Sequence, residues 1–269
     1  MAPHLADRQT MQQLHLFFNA WVFYTRFPAP AWVVHSHENL NRSSRYFPLI
    51  GGFLAVLFFA TFSVANLVFS TELSLVLAIV VGILATGAFH EDGFADLCDG
   101  FGGGWKTEDV LRIMKDSRLG TYGVIGLWSV LMLKWGLLLE ATQITFQTSY
   151  IPSLLLILIC GFMLSRAWSI SLIALLPYVQ QDAQSKAKPI AKKMHKSDLC
   201  IIWLFALLPL AFLPWLTIII LLSVGLCALL YIKRWFNRRL GGYTGDALGA
   251  SQQIQELLAY MAIIGAQAL

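Results

Sequence analysis

Long apolar runs separated by short polar segments dominate the pattern of the chain. A membrane-spanning helix needs about 20 mostly apolar residues. The runs that approach or exceed this length are Phe47–Phe69, Leu73–Phe89, Tyr122–Leu139, Ile151–Leu176, Leu199–Ile232 and Ile254–Leu269. Leu199–Ile232 is too long for one span, so we expect two short spans that turn near Leu210–Pro214. Ile254–Leu269 is of marginal length, and the pattern predicts about six to seven transmembrane helices.

The segment Leu14–Tyr24 differs from these runs. It mixes large aromatic residues with His15 and Asn19, and Arg26 follows two residues after its end. This mixture is typical of an amphipathic helix that lies in the membrane interface. A first membrane crossing is the alternative interpretation.

Composition places the chain among integral membrane proteins. Hydrophobic residues make up 57%, charged residues 13%, and the mean hydropathy is +0.66. Soluble domains carry roughly 25% charged residues, and so few polar side chains do not cover a water-soluble surface. The four cysteines form no CxxC pair, which argues against disulfides and a zinc site. We predict an all-α polytopic membrane helical bundle that forms one domain over residues 1–269.

Lysine and arginine collect in alternate connections between the apolar runs. They occur before the first span and in the segments 90–121, 178–198 and 233–246, whereas the intervening links contain none. The positive-inside rule places these basic segments in the cytoplasm. We therefore attribute the net charge of +4 to membrane topology and expect no nucleic-acid partner.

An acidic segment begins where the run Leu73–Phe89 ends. Asp92, Asp96 and Asp99 are spaced i, i+4 and i+7, which places three carboxylates on one face of a helix. Carboxylates this close repel one another, and a hard cation such as Mg²⁺ or Mn²⁺ offsets the repulsion. We predict these three residues as metal ligands. A solvated helix end at the membrane surface is the alternative.

Residues suited to binding a diphosphate follow the acidic segment. Glycine lets backbone N–H groups approach a phosphate closely, while lysine, arginine and hydroxyl groups neutralise or donate to its oxygens. The candidates are Gly102, Gly103, Lys115, Ser117, Arg118, Arg166 and Thr244. For the glycines a flexible hinge is an equal alternative, and for Lys115 and Arg118 a positive-inside anchor.

Two of these candidates lie elsewhere in the chain. Arg166 interrupts an apolar run, where an arginine is costly and usually faces a polar interior, so we expect it to face the phosphate site; an ion pair that locks two helices is the alternative. Thr244 belongs to a second glycine-rich turn with Asp246, which by itself fits a helix N-cap with Asp246 as the cap. The candidate acid–base groups are His90, Glu91, Asp116 and Asp246.

The cytoplasmic segments 90–121 and 233–256 together predict a metal and phosphate site. The chemistry that fits is transfer of a phosphate-containing group from a pyrophosphate donor to a hydroxyl, with a metal on the diphosphate. A carboxylate would take the proton of the acceptor hydroxyl.

Several motifs, in order along the chain, resemble the cobalamin synthase family, the bacterial adenosylcobinamide-GDP ribazoletransferases. They are Phe23-Tyr24-Thr25-Arg26-Phe27-Pro28, Gly87-Ala88-Phe89-His90-Glu91-Asp92-Gly93 with Asp96 and Asp99, the stretch from Lys115 to Gly123, and the stretch from Gly241 to Ala250. In the first motif, Phe27 replaces the leucine of the family's Thr-Arg-Leu-Pro stretch.

The resemblance implies a specific reaction. Adenosylcobinamide-GDP is joined to α-ribazole or its 5′-phosphate, which gives adenosylcobalamin or its 5′-phosphate and GMP. It also implies a Mg²⁺ requirement and a place in the bacterial cytoplasmic (inner) membrane with a cytoplasmic active site. A homo-oligomer, or a complex with other late cobalamin-assembly enzymes, is compatible with this interpretation.

Other functions remain open on the residues alone. A CDP-alcohol phosphotransferase also has spaced aspartates at the end of a span, but Asp96 stands where its motif has arginine. A prenyltransferase needs a DDxxD motif, which the chain lacks. An ion transporter that coordinates its ion through the aspartates is the third alternative, although transporter sites usually lie near the membrane midplane.

Overall fold

The structure, a computed structural model, describes residues 5–146, 151, 153–179 and 194–268. Its α-helices are α1 (Leu5–Tyr24), α2 (His37–Ser43), α3 (Phe47–Ala65), α4 (Thr71–Thr86), α5 (Phe89–Gly103), α6 (Thr107–Met114), α7 (Thr121–Ala141), α8 (Ser153–Leu175), α9 (Lys196–Leu207), α10 (Trp215–Leu240) and α11 (Gly245–Gly265). Short 3₁₀ turns occupy Ser44–Tyr46, Leu208–Phe212 and Ala266–Ala268. Because the described residues contain helices and no β-strand, the all-α prediction is confirmed.

Fewer helices are long and apolar enough to cross a membrane than the sequence pattern predicts. Among the described residues these are His37–Ala65, α7, α8 and α10, with α4 and α5 as a fifth span if the bent pair counts as one. A polytopic helical membrane protein is thus confirmed, and among the described residues four to five spans meet this test of length and hydropathy. The difference arises because α9 has only 12 residues and α11 carries polar side chains into the bundle.

The run Leu199–Ile232 is divided where the sequence predicts, but unequally. A 3₁₀ turn over Leu208–Phe212 separates the short α9 from α10, which has 26 residues and continues to Leu240. The prediction of a loop over 233–246 is therefore wrong for its first half. Arg238 and Arg239 lie in the last turn of α10, where cations interact favourably with the helix dipole.

The run Leu73–Phe89 contains a break that the sequence does not predict. α4 ends at Thr86, and Gly87 and Ala88 both adopt positive φ angles, 67° and 58°. α5 then leaves at about a right angle, 90°. The acidic segment forms a helix, as its spacing predicts, and this helix begins directly at the bend.

The N-terminal helix α1 begins earlier than predicted. It is not among the helices that are long and apolar enough to span, which agrees with an interfacial position. Leu16, Ala20 and Tyr24 form its buried face, and the ring of Tyr24 stacks on Phe47 at a centroid distance of 3.9 Å. α1 is thus packed against the first span.

α8 is the central helix of the bundle. Within its most apolar stretch, 89% of the residues are buried inside the protein, and it packs mainly against α3 and α11. α11 in turn contacts α5, α7 and α10, so it connects the acidic helix to the core. Most of the predicted basic loop 178–198, including Lys186, Lys188, Lys192 and Lys193, lies outside the described residues.

The close packing of α8 on α11 predicts that Gly161→Ala destabilises the protein. A methyl group at Gly161 would overlap the ring of Tyr260 on α11, and such overpacking costs about 1–3 kcal/mol. We expect a lower thermal unfolding midpoint in detergent. The matched control is Gly136→Ala on α7, where no heavy atom lies within 4 Å; an equal midpoint for the two variants would contradict this packing.

Candidate functional site

The acidic face of α5 meets the first turn of α11. Asp92 is exposed, Asp96 is partly buried and Asp99 is buried. The helices approach closely at Gly93, where an added Cβ would lie 2.8 Å from the Cα of Asp246. Asp96 is partly buried, and Asp246, Asp92 and Asp99 lie near enough for their charges to repel its carboxylate. The structure therefore brings Asp246 to the predicted acidic cluster from a distant part of the chain.

Asp99 differs from the other carboxylates because backbone donors already occupy it. The N–H of Gly120 donates to its Oδ2 at 2.7 Å, and the N–H of Gly123 donates to its Oδ1 at 2.8 Å. Asp99 thus caps the start of α7, as an N-cap carboxylate does. Its predicted role as a metal ligand stays a prediction.

The oxygen donors of this site fit a hard divalent cation. In the described part of the chain, no three His, Cys, Asp or Glu side chains already surround a single point as a metal cage. Mg²⁺ does not need such a cage, since it is usually bound through one or two carboxylates, waters and substrate phosphates. Asp92 and Asp96 supply two carboxylates one helical turn apart, and the repulsion on Asp96 is of the kind a cation relieves.

The segment between α6 and α7 contains further residues that the sequence predicts to bind phosphate or to transfer protons. Arg118 forms a two-point pair with Asp116, with Nη2 2.6 Å from Oδ2 and Nε 3.0 Å from Oδ1. These hydrogen bonds lower the pKa of Asp116 to about 2, which makes it a poor general base near neutral pH. Lys115, Ser117 and Arg118 are exposed.

Gly102 and Gly103 lie in the last turn of α5. A Cβ at Gly102 would overlap the ring of Tyr122, so this glycine permits close packing of α5 on α7. The structure also shows a contact that the sequence analysis missed: Arg239 Nη2 donates to the carbonyl oxygens of Phe101 at 3.0 Å and Gly104 at 2.7 Å. Arg239 therefore binds the C-terminal end of α5, and the phosphate role of the glycines stays a prediction.

The second glycine-rich turn aims α11 at the acidic cluster. Thr244, and not Asp246, is the N-cap of α11; its Oγ1 accepts the N–H of Ala247 at 3.1 Å. Gly241 ends α10 with a φ of 77°, and Gly242 packs so closely on the carbonyl oxygen of Pro177 that a side chain would overlap it. This turn places Asp246 in the first turn of α11, where the helix dipole favours an acid.

A second polar group lies inside the bundle, away from Asp92. We call it the interior polar cluster; its buried members are His90, Glu91, Lys134, Arg166, Gln252, Gln253 and Glu256. Lys134 Nζ lies 2.6 Å from Glu256 Oε1, and Arg166 Nη1 lies 3.8 Å from Glu256 Oε2. Arg166 thus joins α8 to α11 in an ion pair, as the helix-locking alternative proposes, and its predicted phosphate contact stays a prediction.

Arg26 is a further cation near the acidic helix that the candidate residues did not include. Its backbone N–H donates to the carbonyl oxygen of Ala85 at 2.8 Å, and its exposed guanidinium lies directly on Gly87 at the bend before α5. The available signal was its place in the motif Phe23–Pro28. A single arginine between aromatic residues carries no spacing that points to the site.

Comparison with known proteins identifies relatives along almost the whole chain. Residues 16–264 match the family described as cobalamin-5-phosphate synthase. A protein of Shewanella frigidimarina, named adenosylcobinamide-GDP ribazoletransferase, is 44% identical over 254 residues, which cover 94% of this chain and 95% of the relative. A protein of Vibrio cholerae with the same name is 42% identical over 252 residues, 94% of each chain. No solved structure matches.

The backbone contacts of Asp99 predict that Asp99→Ala and Asp92→Ala have different effects on stability. Asp99→Ala leaves the N–H groups of Gly120 and Gly123 without their acceptor, and loss of a helix cap costs about 0.5–2 kcal/mol. Asp92→Ala removes an exposed charge that repels Asp96, so we expect an unchanged or higher unfolding midpoint. Equal midpoints for the two variants, measured by thermal unfolding without metal, would contradict the capping role.

Proposed function

The chain belongs to the cobalamin-5-phosphate synthase family, and on that premise we propose that it joins adenosylcobinamide-GDP to α-ribazole or its 5′-phosphate and releases GMP. The observation that supports this reaction best is the meeting of Asp92 and Asp96 on α5 with Asp246 on α11. A reaction at a diphosphate needs concentrated negative charge to hold a cation, and cations to hold the substrate. The family match does not favour the CDP-alcohol phosphotransferase and transporter alternatives.

We assign Mg²⁺ to Asp92 and Asp96, with Asp246 adding to the attraction from the facing helix. When bound, Mg²⁺ neutralises charge on the diphosphate and on the departing GMP. The spacing i, i+4 lets both carboxylates of α5 face the same point. Asp99 supports this arrangement from the next turn by capping α7.

Asp99 also connects the acidic helix to the predicted phosphate-binding segment. Because its carboxylate binds the N–H of Gly120, the preceding residues Lys115, Ser117 and Arg118 are held beside α5. These side chains are exposed, and the exposed Arg26 lies at the bend before α5. They are suited to bind the diphosphate oxygens that the metal leaves uncovered.

Among the candidate acid–base groups, Asp246 is the best placed to accept the proton of the ribazole hydroxyl. His90 and Glu91 are buried in the interior polar cluster, and the carboxylate of Asp116 is bound by Arg118. Asp246 is partly exposed and lies across from Asp96. As the hydroxyl oxygen attacks the phosphorus of the cobinamide-linked phosphate, the O–H proton passes to Asp246 and GMP leaves with its electron pair.

The membrane placement follows from the same sequence features. We propose that the protein lies in the bacterial cytoplasmic membrane with the acidic face of α5 and the residues 104–120 on the cytoplasmic side. Basic residues flank this face, while the other end of α7 has none nearby.

The reaction predicts Mg²⁺-dependent release of GMP. The purified protein in detergent is given adenosylcobinamide-GDP and α-ribazole with and without Mg²⁺, and GMP and the corrinoid product are measured. We expect Asp96→Asn to reduce the rate by at least about 100-fold, since it removes a charge that holds the metal. Asp109→Asn is the control because this acid lies on α6 and pairs with Arg112. GMP release without Mg²⁺, or full activity of Asp96→Asn, would contradict the metal site.

The topology predicts that cysteines at the two ends of α7 are labelled from opposite sides. In a background without the four native cysteines, Lys106→Cys should react with an impermeant maleimide only after the membrane is opened. Gln143→Cys, an exposed position beyond α7, should react in intact cells. Labelling of both positions from the same side would contradict the orientation.

A further inference from the structure

The interior polar cluster connects the helices that build the carboxylate site. Gln253 Nε2 on α11 donates to Glu91 Oε1 on α5 at 3.0 Å. One residue earlier, Gln252 Nε2 donates to Glu256 Oε2 at 2.6 Å and to Ser165 Oγ at 3.1 Å. α11 is thus fixed to α5 by one bond and to α8 by another.

The charges of this cluster are compensated within the bundle. Lys134 from α7 and Arg166 from α8 both approach Glu256 on α11. Arg166 also lies over the rings of Phe47 and Phe162, at 5.4 Å and 5.0 Å. A buried charge without a partner is costly, so these contacts allow few other positions for α11.

A small cavity completes the cluster. It has a volume of about 20 Å³ and is lined by His90, Glu91, Lys134, Arg166 and Gln253, among others. Three buried atoms at its edge have no hydrogen-bond partner among the described residues: His90 Nε2, Glu91 Oε2 and Arg166 Nε. A cavity of this size holds about one water, which satisfies such atoms, but it cannot admit a substrate.

We propose that the interior polar cluster, with one water in its cavity, is a positioning device for the carboxylate site. It holds α5 and α11 in register so that Asp92 and Asp96 face Asp246. His90 and Glu91 are therefore positioning residues, which act through the helices, and not acid–base catalysts. This inference rests on the proposed function only in taking the carboxylates as the metal site.

The contacts of α11 with α5 are spread over the first half of α11. Asp246 is in the first turn and Gln253 is two turns further. Between them, Gly249 packs against His90, where an added Cβ would lie 3.4 Å from the His90 Cα. The bond from Gln253 to Glu91 thus lies beyond the contact of Gly249 with His90, and it opposes sliding of α5 and α11 past each other.

The test measures metal binding without substrate. Mn²⁺ replaces Mg²⁺ because its electron paramagnetic resonance signal reports free ion, and the full-length protein is titrated in detergent. We expect Gln253→Met to weaken Mn²⁺ binding about tenfold, the size of effect typical of residues that orient metal ligands. The control is Gln255→Met, an equally buried glutamine on α11 whose Nε2 donates to Gly225 O at 3.4 Å on α10. This control should change Mn²⁺ binding less than about twofold.

A second pair of variants separates positioning from catalysis. Glu91→Gln keeps an oxygen that accepts from Gln253, so it should retain Mn²⁺ binding within about threefold and most of the GMP release. Glu91→Met removes that acceptor and should match Gln253→Met. The double variant Glu91→Met/Gln253→Met should be no weaker than either single variant, because both remove the same bond.

The outcomes for the variants separate this inference from the proposed function, whereas absence of Mn²⁺ binding in the unmodified protein would contradict the metal site on which both depend. Equal Mn²⁺ affinity for Gln253→Met and Gln255→Met, additive losses in the double variant, or no Mn²⁺ binding by the unmodified protein would overturn the positioning role. Loss of GMP release in Glu91→Gln with intact Mn²⁺ binding would make Glu91 a catalyst and would also overturn it. If Mn²⁺ binding follows the expected pattern but no GMP is released, the proposed reaction fails while the positioning role stands.

Discussion

The crossing of α5 and α11 is the constraint on which the rest of the structure depends. Two helices approach this closely only where one of them lacks a side chain, and Gly93 supplies that gap opposite the backbone of Asp246. The crossing brings acids from two distant parts of the chain to one place. α5 reaches this crossing after a bend of 90° from α4. The chain makes this bend with positive φ angles at Gly87 and Ala88, and at Ala88, which has a side chain, this conformation is strained.

Charge compensation explains why α11 carries polar side chains into an apolar bundle. The carboxylates near Asp96 repel each other, so the helices that carry them need attraction elsewhere. Glu256, bound by Lys134 and Arg166 near the middle of α11, supplies this attraction. Because charges are costly away from water, this pairing holds α7, α8 and α11 in one arrangement. The same cost makes the cluster unsuited to a substrate that has to enter and leave.

Local patterns predict the acidic face well and its partners poorly. Asp92, Asp96 and Asp99 share a face through helical spacing alone, so the sequence is enough to predict that these three carboxylates lie close together. The bend at Ala88 could not, since alanine is a strong helix former and only tertiary packing makes it adopt a left-handed conformation. The sequence predicts a span of marginal length over Ile254–Leu269, whereas α11 begins at Gly245 and buries the polar side chains of Gln252, Gln253 and Glu256. A long-range pairing such as Lys134 with Glu256 has no periodic signal in one sequence.

The three aspartates of α5 share one face of the helix but have different surroundings, so we assign them different roles. Asp92 is exposed and has room for a cation, whereas both carboxylate oxygens of Asp99 accept hydrogen bonds from backbone N–H groups at the start of α7. Asp96 lies between them and faces Asp246. The carboxylate of Asp99 caps α7 and thereby also fixes the segment with Lys115 and Arg118 to α5. The proposed metal ligands and the proposed phosphate-binding residues are therefore positioned by the same side chain. A change at Asp99 therefore alters how far the cations lie from the carboxylates, even if Asp99 never contacts the metal.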